Sequence, residues 1–188
     1  MNASEDDLTT ALPDALLLRR FHEGDEACFE ALFQRHYDLV YGVLFRLTGT
    51  RAEAEDLVQE VFLRLYQRPM VHGENVAGWL YRVALNVGYN ALRAHHRRER
   101  RERIAATGDD THITPGPEEV VSHREARRKV QWALARIPER SAKLLILRES
   151  GFSYREMAEI IGVAAGSIGT LLARAQEAFI RVYQEEQK

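Results

Sequence analysis

Residues 151–179 read GFSYREMAEIIGVAAGSIGTLLARAQEAF. Ser153 and Glu156 have the Ser-x-x-Glu spacing of a capping box, which marks a helix start. Ala158 lies four residues before Gly162, and Ile168 six residues after it. A helix-turn-helix places the same three demands on a chain. It needs a small residue where its helices cross, a turn residue that tolerates left-handed backbone, and an apolar anchor on the second helix. Ile160 and Ile161 fill the inner face of the first helix, and Ile168, Leu172, Ala175 and Phe179 continue the buried stripe. Ser167, Thr170, Leu171 and Arg174 are left on the outer face, with Arg155 near the start of the first helix. A hairpin used only for packing shares these spacings. The capping box, the glycine and the anchor together favour a DNA-binding unit. The segment that would enter a groove, AAGSIGTLLARA, nevertheless holds one basic residue.

Nearly every other segment also reads as helix, and strand alternation and hairpin-turn signals are missing. Pro138 opens the preceding helix, ERSAKLLILRES, which stops at Gly151. Upstream, residues 106–119 (ATGDDTHITPGPEE) break the pattern with two prolines and two glycines and read as a flexible linker. Four more helices precede it. A short one opens at Pro13 and Asp14 and closes near Gly24. A second runs from about Asp25 to Leu47, with Phe29, Leu32, Phe33, Val40, Leu44 and Leu47 at helical spacing, and ends at Gly49. A third spans 51–67, and a fourth starts near Asn75 and reaches Arg103. The expected fold is therefore all-α: a helical domain over 13–103, a linker over 104–119, and a smaller helix-turn-helix domain over 120–184.

Composition bounds the function. Of the 188 residues 45% are hydrophobic, enough for a core, and the formal net charge is -2. The charge is unevenly placed. Residues 1–81 carry 14 acids against 7 Lys/Arg, whereas residues 82–103 carry 7 Arg against 2 Glu. An acidic block followed by a basic one suggests two different partners. Cys28 is the single cysteine, which excludes an internal disulfide and a cysteine-cluster metal site. The polar, acidic start MNASEDDLTTALPD is unlike a signal peptide, and no apolar run is long enough to cross a membrane. The expected compartment is the cytoplasm, with no membrane insertion. Seven histidines are present, but no His-Glu-x-x-His, phosphate-binding glycine loop or nucleophile elbow accompanies them. Neither an enzyme nor a metal or other cofactor is expected.

Two N-terminal stretches carry chemistry. In RAEAEDLVQEVFLRLYQ (51–67), Leu57, Val61 and Leu65 recur every four residues, and Glu53, Asp56, Gln59 and Glu60 share the polar surface. On periodicity alone this is an ordinary solvated acidic face. In NVAGWLYRVALNVGYNALRAHHRRERRER (75–103), Leu80, Val83, Ala84, Val87 and Ala91 form an apolar stripe, and Arg82, Asn86, Tyr89, Asn90 and Arg93 form another face. Arginines and an aromatic mixed with amides suit phosphate contact and base stacking. Trp79 and Tyr89 serve equally well as core residues. The run through Arg97 and Arg98 keeps the local sign positive despite interspersed glutamates.

In that order, EDLVQEVFLRLY (55–66), WLYRVALNVGYNALR (79–93) and IPERSAKLLILRESGFSYREMAEIIGV (137–163) resemble the extracytoplasmic-function class of bacterial RNA polymerase sigma factors. The resemblance runs from about Asp14 to Tyr183. It implies two helical domains, region two and region four, that bind core polymerase, read the minus-ten and minus-thirty-five promoter elements and melt the start site. It implies that Asp56, Leu57, Gln59, Glu60 and Val61 dock on the clamp helices of the largest polymerase subunit. Trp79, Arg82, Asn86, Tyr89, Asn90, Arg93, Arg97 and Arg98 would meet the minus-ten element. Arg155, Ser167, Thr170, Leu171 and Arg174 would meet the minus-thirty-five element. An anti-sigma protein is a further expected partner. The chain departs from the family pattern at Asn90, often acidic, at Gly169, Thr170 and Leu171, often a Lys-Ser-Arg-like run, and at Gln176, often arginine.

A recognition helix so poor in charge is physically workable in such an assembly. A free-standing repressor relies on counterion release at many phosphates. A reader tethered by polymerase and by minus-ten contacts has effective concentration instead. Backbone amides at its helix start can hold a phosphate, and Leu171 can touch a thymine methyl. Two other readings share the helix-turn-helix. One is a conventional regulator that binds DNA without polymerase, which leaves the arginine-aromatic helix unexplained. The other is a protein-binding adaptor on the same fold.

Overall fold

The computed structural model describes residues 12–68, 75–105 and 118–185. Helix α1 spans Asp14–His22, α2 Glu26–Thr48, α3 Arg51–Tyr66 and α4 Val76–Ala105. After the break come α5 Glu118–Arg136, α6 Glu139–Glu149, α7 Tyr154–Ile161, a 3₁₀ turn Ala165–Ser167 and α8 Ile168–Glu185. The described residues contain no strand, as the periodicity predicts. Most of the expected linker, residues 106–117, lies outside the described residues. Its flanks are helical: Ile104 and Ala105 end α4, and Glu118 begins α5.

In the N-terminal half, α2 lies against α1, α3 and α4. Leu32, Val40, Leu44 and Leu47 of α2 are essentially inaccessible to solvent, as are Val58 and Leu65 of α3 and Leu80 and Ala84 of α4. Each such leucine contributes about 1.5–3 kcal/mol relative to exposure. Gly88 sets the closest approach. A Cβ there would meet Leu47 Cδ1 at 2.7 Å and Leu44 Cδ2 at 3.0 Å, so α2 and α4 would have to part. α2 stops at Gly49, which takes φ 76° and donates its N–H to Phe45 O.

A polar chain, buried at His36 and Tyr81, ties α1 to this core. Asp14 accepts from the Arg35 guanidinium, and its other oxygen lies 2.8 Å from His36 Nε2. His36 Nδ1 lies 2.9 Å from the Tyr81 hydroxyl. Burial acts to raise the Asp14 pKa, but hydrogen bonds and charge from His36 and Arg35 outweigh it and leave the carboxyl below its ordinary value. Burial pushes the Tyr81 phenol up. Cys28 is a packing residue: its side chain is inaccessible, and burial with a contact to Asp25 pushes the thiol up to about 11.

The C-terminal half is built on α6 and α8, with α5 beside them. Its apolar residues continue the same cluster rather than forming a detached one, because Phe152 packs edge-on against Tyr81 with ring centroids 4.9 Å apart.

Candidate nucleic-acid interface

The helix-turn-helix is α7, the turn and α8. The Ser153 Oγ accepts from Glu156 N at 3.3 Å, and Ser153 N donates to Glu156 Oε2 at 2.8 Å, so both arms of the capping box are made. The Ser153 hydroxyl, which donates to Glu156 Oε2 at 2.6 Å, and the Ser153 N–H together lower the Glu156 pKa, against desolvation. Gly162 takes φ 77°, and its N–H and that of Val163 both donate to Ala158 O, at 2.8 and 3.0 Å. Ala158 is buried at the crossing, with Ile168, Leu172 and Ala175 beneath α8. Phe179 is half-buried.

On the outer face, Thr170 and Arg174 are exposed, as is Arg155 on α7. Leu171 is half-buried and leans on the core. Ser167 sits in the 3₁₀ turn before α8, and its hydroxyl donates to Ala164 O at 2.6 Å. That bond leaves the oxygen able to accept. Gly169 is exposed, and a Cβ there would meet only Tyr154 Cε2, at 3.7 Å, an ordinary contact. Nothing among the described residues demands glycine at this position.

The second candidate surface lies on α4. Arg82, Asn86, Asn90 and Arg93 are exposed and follow one another at helical spacing on one face. Tyr89 does not join them, which corrects the expected set. Its side chain is 3% exposed, and its hydroxyl donates to Ile137 O at 3.3 Å. Burial raises its pKa. A ring held this way cannot stack on a base. Trp79 is half-buried with the Arg68 guanidinium 4.5 Å above its ring. Further along, Arg97, Arg98, Arg100 and Arg101 are exposed. Glu99 offsets them in part, near His95 at 3.4 Å and Arg128 at 3.5 Å.

The acidic face on α3 needs one correction as well. Asp56 and Gln59 are exposed, Leu57 is half-buried, and Glu60 pairs with Arg64 one turn on. Val61 has no accessible surface and belongs to the core with Val58 and Leu65. It cannot touch a partner unless α3 unpacks.

Sequence reasoning missed the side chains that join the two halves. Arg82 Nε donates to Ile160 O at 3.0 Å and its Nη2 to Glu159 O at 3.1 Å, at the last turn of α7. Lys143 of α6 donates to Asn86 Oδ1, and Asn75 Nδ2 donates to Glu159 Oε2 at 3.0 Å. In the other direction, Arg127 and Gln131 of α5 donate to Gly49 O at 2.9 Å and Leu47 O at 3.2 Å, at the end of α2. Each half thus supplies donors to helix-end carbonyls of the other, the groups a helix leaves unpaired. No local spacing signals such contacts.

Comparison with known proteins agrees with the order of these parts. Residues 32–98 match the family model Sigma-70 region 2, and residues 127–179 match Sigma-70, region 4. The chain is 33% identical over 176 residues to the ECF RNA polymerase sigma-E factor of Haemophilus influenzae, covering 88% of this chain and 93% of that protein. It is 28% identical over 189 residues to the RNA polymerase sigma-H factor of Pseudomonas aeruginosa, covering 94% and 97%. Among solved structures, CnrH in complex with the cytosolic domain of CnrY aligns with a TM-score of 0.60 at 16% identity, over 92% of this chain and 97% of that one. The sigma factor RpoE of Bartonella quintana, in complex with the anti-sigma factor NepR, aligns with a TM-score of 0.51 at 23% identity, over 83% and 96%. At these identities the two structures speak for the fold alone.

Proposed function

The chain belongs to the extracytoplasmic-function sigma factors of RNA polymerase, and from that premise we propose how its surfaces divide the work. The exposed acidic face of α3, centred on Asp56 and Gln59 with Glu60 and the edge of Leu57, docks on the clamp helices of the largest polymerase subunit. The arginine-amide face of α4, with Trp79 at one end and Arg97 and Arg98 at the other, meets the minus-ten element and opens the duplex. The outer face of α8, with Arg155 of α7, reads the minus-thirty-five element. Residues 13–105 form the first unit and 118–184 the second. Polymerase performs the chemistry, and this chain supplies promoter choice and strand separation, so its work lies where polymerase meets the chromosome, in the cytoplasm. Its membrane role is nil on this reading; no single described helix is long and apolar enough to cross a bilayer. An anti-sigma protein is a natural inhibitor, since the solved relative from Bartonella quintana is held by one.

The observation that carries the reading is the match of both sigma regions in order along this chain, beside a relative aligned over 88% of this chain and 93% of its own length. A regulator that works without polymerase would leave the region 2 match and the α3 face without a role.

The test pairs two variants of the full chain. Asp56→Lys with Glu60→Lys reverses the exposed acids and is expected to lower retention on core polymerase by tenfold or more, roughly the loss of two charge pairs at an interface. Val61→Ala sits one turn away but inside the core. It is expected to cost about 2 kcal/mol of stability and to leave polymerase binding intact below the melting temperature. A pull-down in which the double reversal binds normally rejects the docking assignment. Sequencing run-off transcripts from a genomic fragment library, with core polymerase and this chain, then identifies its promoters.

A further inference from the structure

The α4 face begins at Trp79, and Trp79 is not its outermost layer. The indole is half-buried and packs against the core cluster. The Arg68 guanidinium lies over its ring, 4.5 Å from the centroid. A base approaching Trp79 from that side meets the guanidinium first. Arg68 is itself half-buried and follows the last turn of α3, where its N–H donates to Leu65 O at 3.2 Å. A guanidinium is planar, so a base stacks on it as on an aromatic ring. The indole beneath holds that plane in one orientation.

Arg68 is placed from α1. His22, in the last turn of α1, directs Nε2 at Arg68 O, 2.6 Å away. Its Nδ1 lies 2.7 Å from Leu18 O. Both partners are carbonyls, which only accept, and a ring carrying both protons donates to each at once. Aromatic contacts fix the approach of α1 to α3: the Phe21 ring centroid lies 5.2 Å from that of His22 and 4.9 Å from that of Tyr66. His22 is exposed and lies 46 residues before Arg68. The bond therefore adds little to core packing. Its effect falls on the backbone of the residue whose side chain covers Trp79.

We propose that Arg68 is a base-stacking residue of the minus-ten surface, with Trp79 as its backing, and that His22 is the positioning residue that holds Arg68 in place. When the strands separate, an unpaired base lies against the outer plane of the guanidinium and extends the Trp79–Arg68 stack by a layer. Arg68 acts through its plane and not only through its charge, and His22 touches no DNA. The proposal rests on the assignment of the α4 face to the minus-ten element made above.

The test uses holoenzyme assembled from core polymerase and full-length chains, on a promoter recovered by the run-off sequencing. Open complex is read as permanganate reactivity of start-site thymines. Arg68→Ala is expected to lower it roughly tenfold, as loss of a base stack does, and to leave retention on core polymerase unchanged. Arg68→Lys keeps the charge without the plane and is expected to fall as far. His22→Gln keeps a donor where Nε2 stands, whereas His22→Asn keeps one only where Nδ1 stands. His22→Asn is expected to open the promoter several-fold less well than the parent, and His22→Gln to restore opening. His22→Asn combined with Arg68→Ala is expected to be no worse than Arg68→Ala alone, because residues that act as a unit do not add. A second readout needs no DNA. With Trp132→Phe in the background, Trp79 is the sole tryptophan. Acrylamide quenching of its emission is expected to rise in Arg68→Ala and in His22→Asn, but not in His22→Gln.

Full opening by Arg68→Ala or by Arg68→Lys overturns the stack, as does unchanged quenching in Arg68→Ala. The positioning role falls if His22→Asn opens like the parent, if His22→Gln loses as much as His22→Asn, or if the losses of His22→Asn and Arg68→Ala add. Where Arg68→Ala opens fully, Arg93→Ala in the same assay locates the fault. Lost opening keeps α4 at the minus-ten element and removes only Arg68 from it, and full opening removes the assignment of α4 itself.

Discussion

The two surfaces assigned to DNA are opposites. The α4 face is rich in arginine, and in its first turns Arg82 and Asn86, though exposed, are hydrogen-bonded to another part of the same chain. The α8 face carries Arg174 as its one basic residue in the first two turns and is open to solvent. The contrast follows from what each must do alone. An arginine surface attracts any phosphate backbone, so its exposure has consequences before the right promoter is met. A near-neutral surface attracts little. On the proposed division of work, tethering by polymerase and the α4 contacts would supply its affinity.

Arg93→Ala probes the charged side of this contrast most strongly. Arg93 is exposed beyond those turns, so folding stability should stay within about 0.5 kcal/mol of the parent. Holoenzyme should still form, and promoter opening should fall by about 1–3 kcal/mol of lost contact, read as lower permanganate reactivity of start-site thymines. Undiminished reactivity would remove α4 from the comparison.

Asp14→Asn probes the support beneath these contacts, because Asp14, His36 and Tyr81 lead to Phe152. Replacing an ionised acceptor of two side chains should cost about 2 kcal/mol at neutral pH. The folded carboxyl titrates below its ordinary value. Its contribution is therefore complete above the ordinary aspartate range and is lost as pH falls through the folded value. Urea midpoints measured between neutral and strongly acidic pH should converge for parent and variant at the acid end. Parallel curves would show that Asp14 contributes no linked protonation.

Thr170→Arg sharpens the neutral side. One added cation at the phosphates should steepen the salt dependence of duplex binding by about one contact, measured with the full chain on a short duplex at several salt concentrations. A parent that already binds tightly, with a steep slope, would undo the tethering argument.

Gly169→Ala has the smallest expected effect and the most pointed sign. The space for a methyl exists, so the free chain should gain about 0.5 kcal/mol from the lost glycine, visible as a small rise in melting temperature. Transcription that depends on the minus-thirty-five element should fall if the glycine admits close approach of the DNA backbone. A gain in both would assign Gly169 no role at DNA.

Local physics made much of this protein legible in its sequence. The capping box at Ser153, the left-handed turn at Gly162 and the anchor at Ile168 each depend on residues within a few positions, and each forms as read. Helix spans follow from a period that hydrogen bonds between neighbouring turns impose. Val61 shows where a resemblance overrode that period. It stands in the Leu57, Val61, Leu65 row, and its burial is what the row foretells.

Tertiary structure decided the rest. Tyr89 shares a helix with Arg82 and Asn86, yet its fate depends on Ile137, 48 residues away. Arg82 meets the end of α7 across 77 and 78 residues. Carbonyls at a helix end take whichever donor the fold brings to them, and no periodicity names that donor in advance. The kinds of surface, acidic, basic and neutral, are properties of the sequence. Which of their side chains are bonded across the chain was decided only when the two halves packed together.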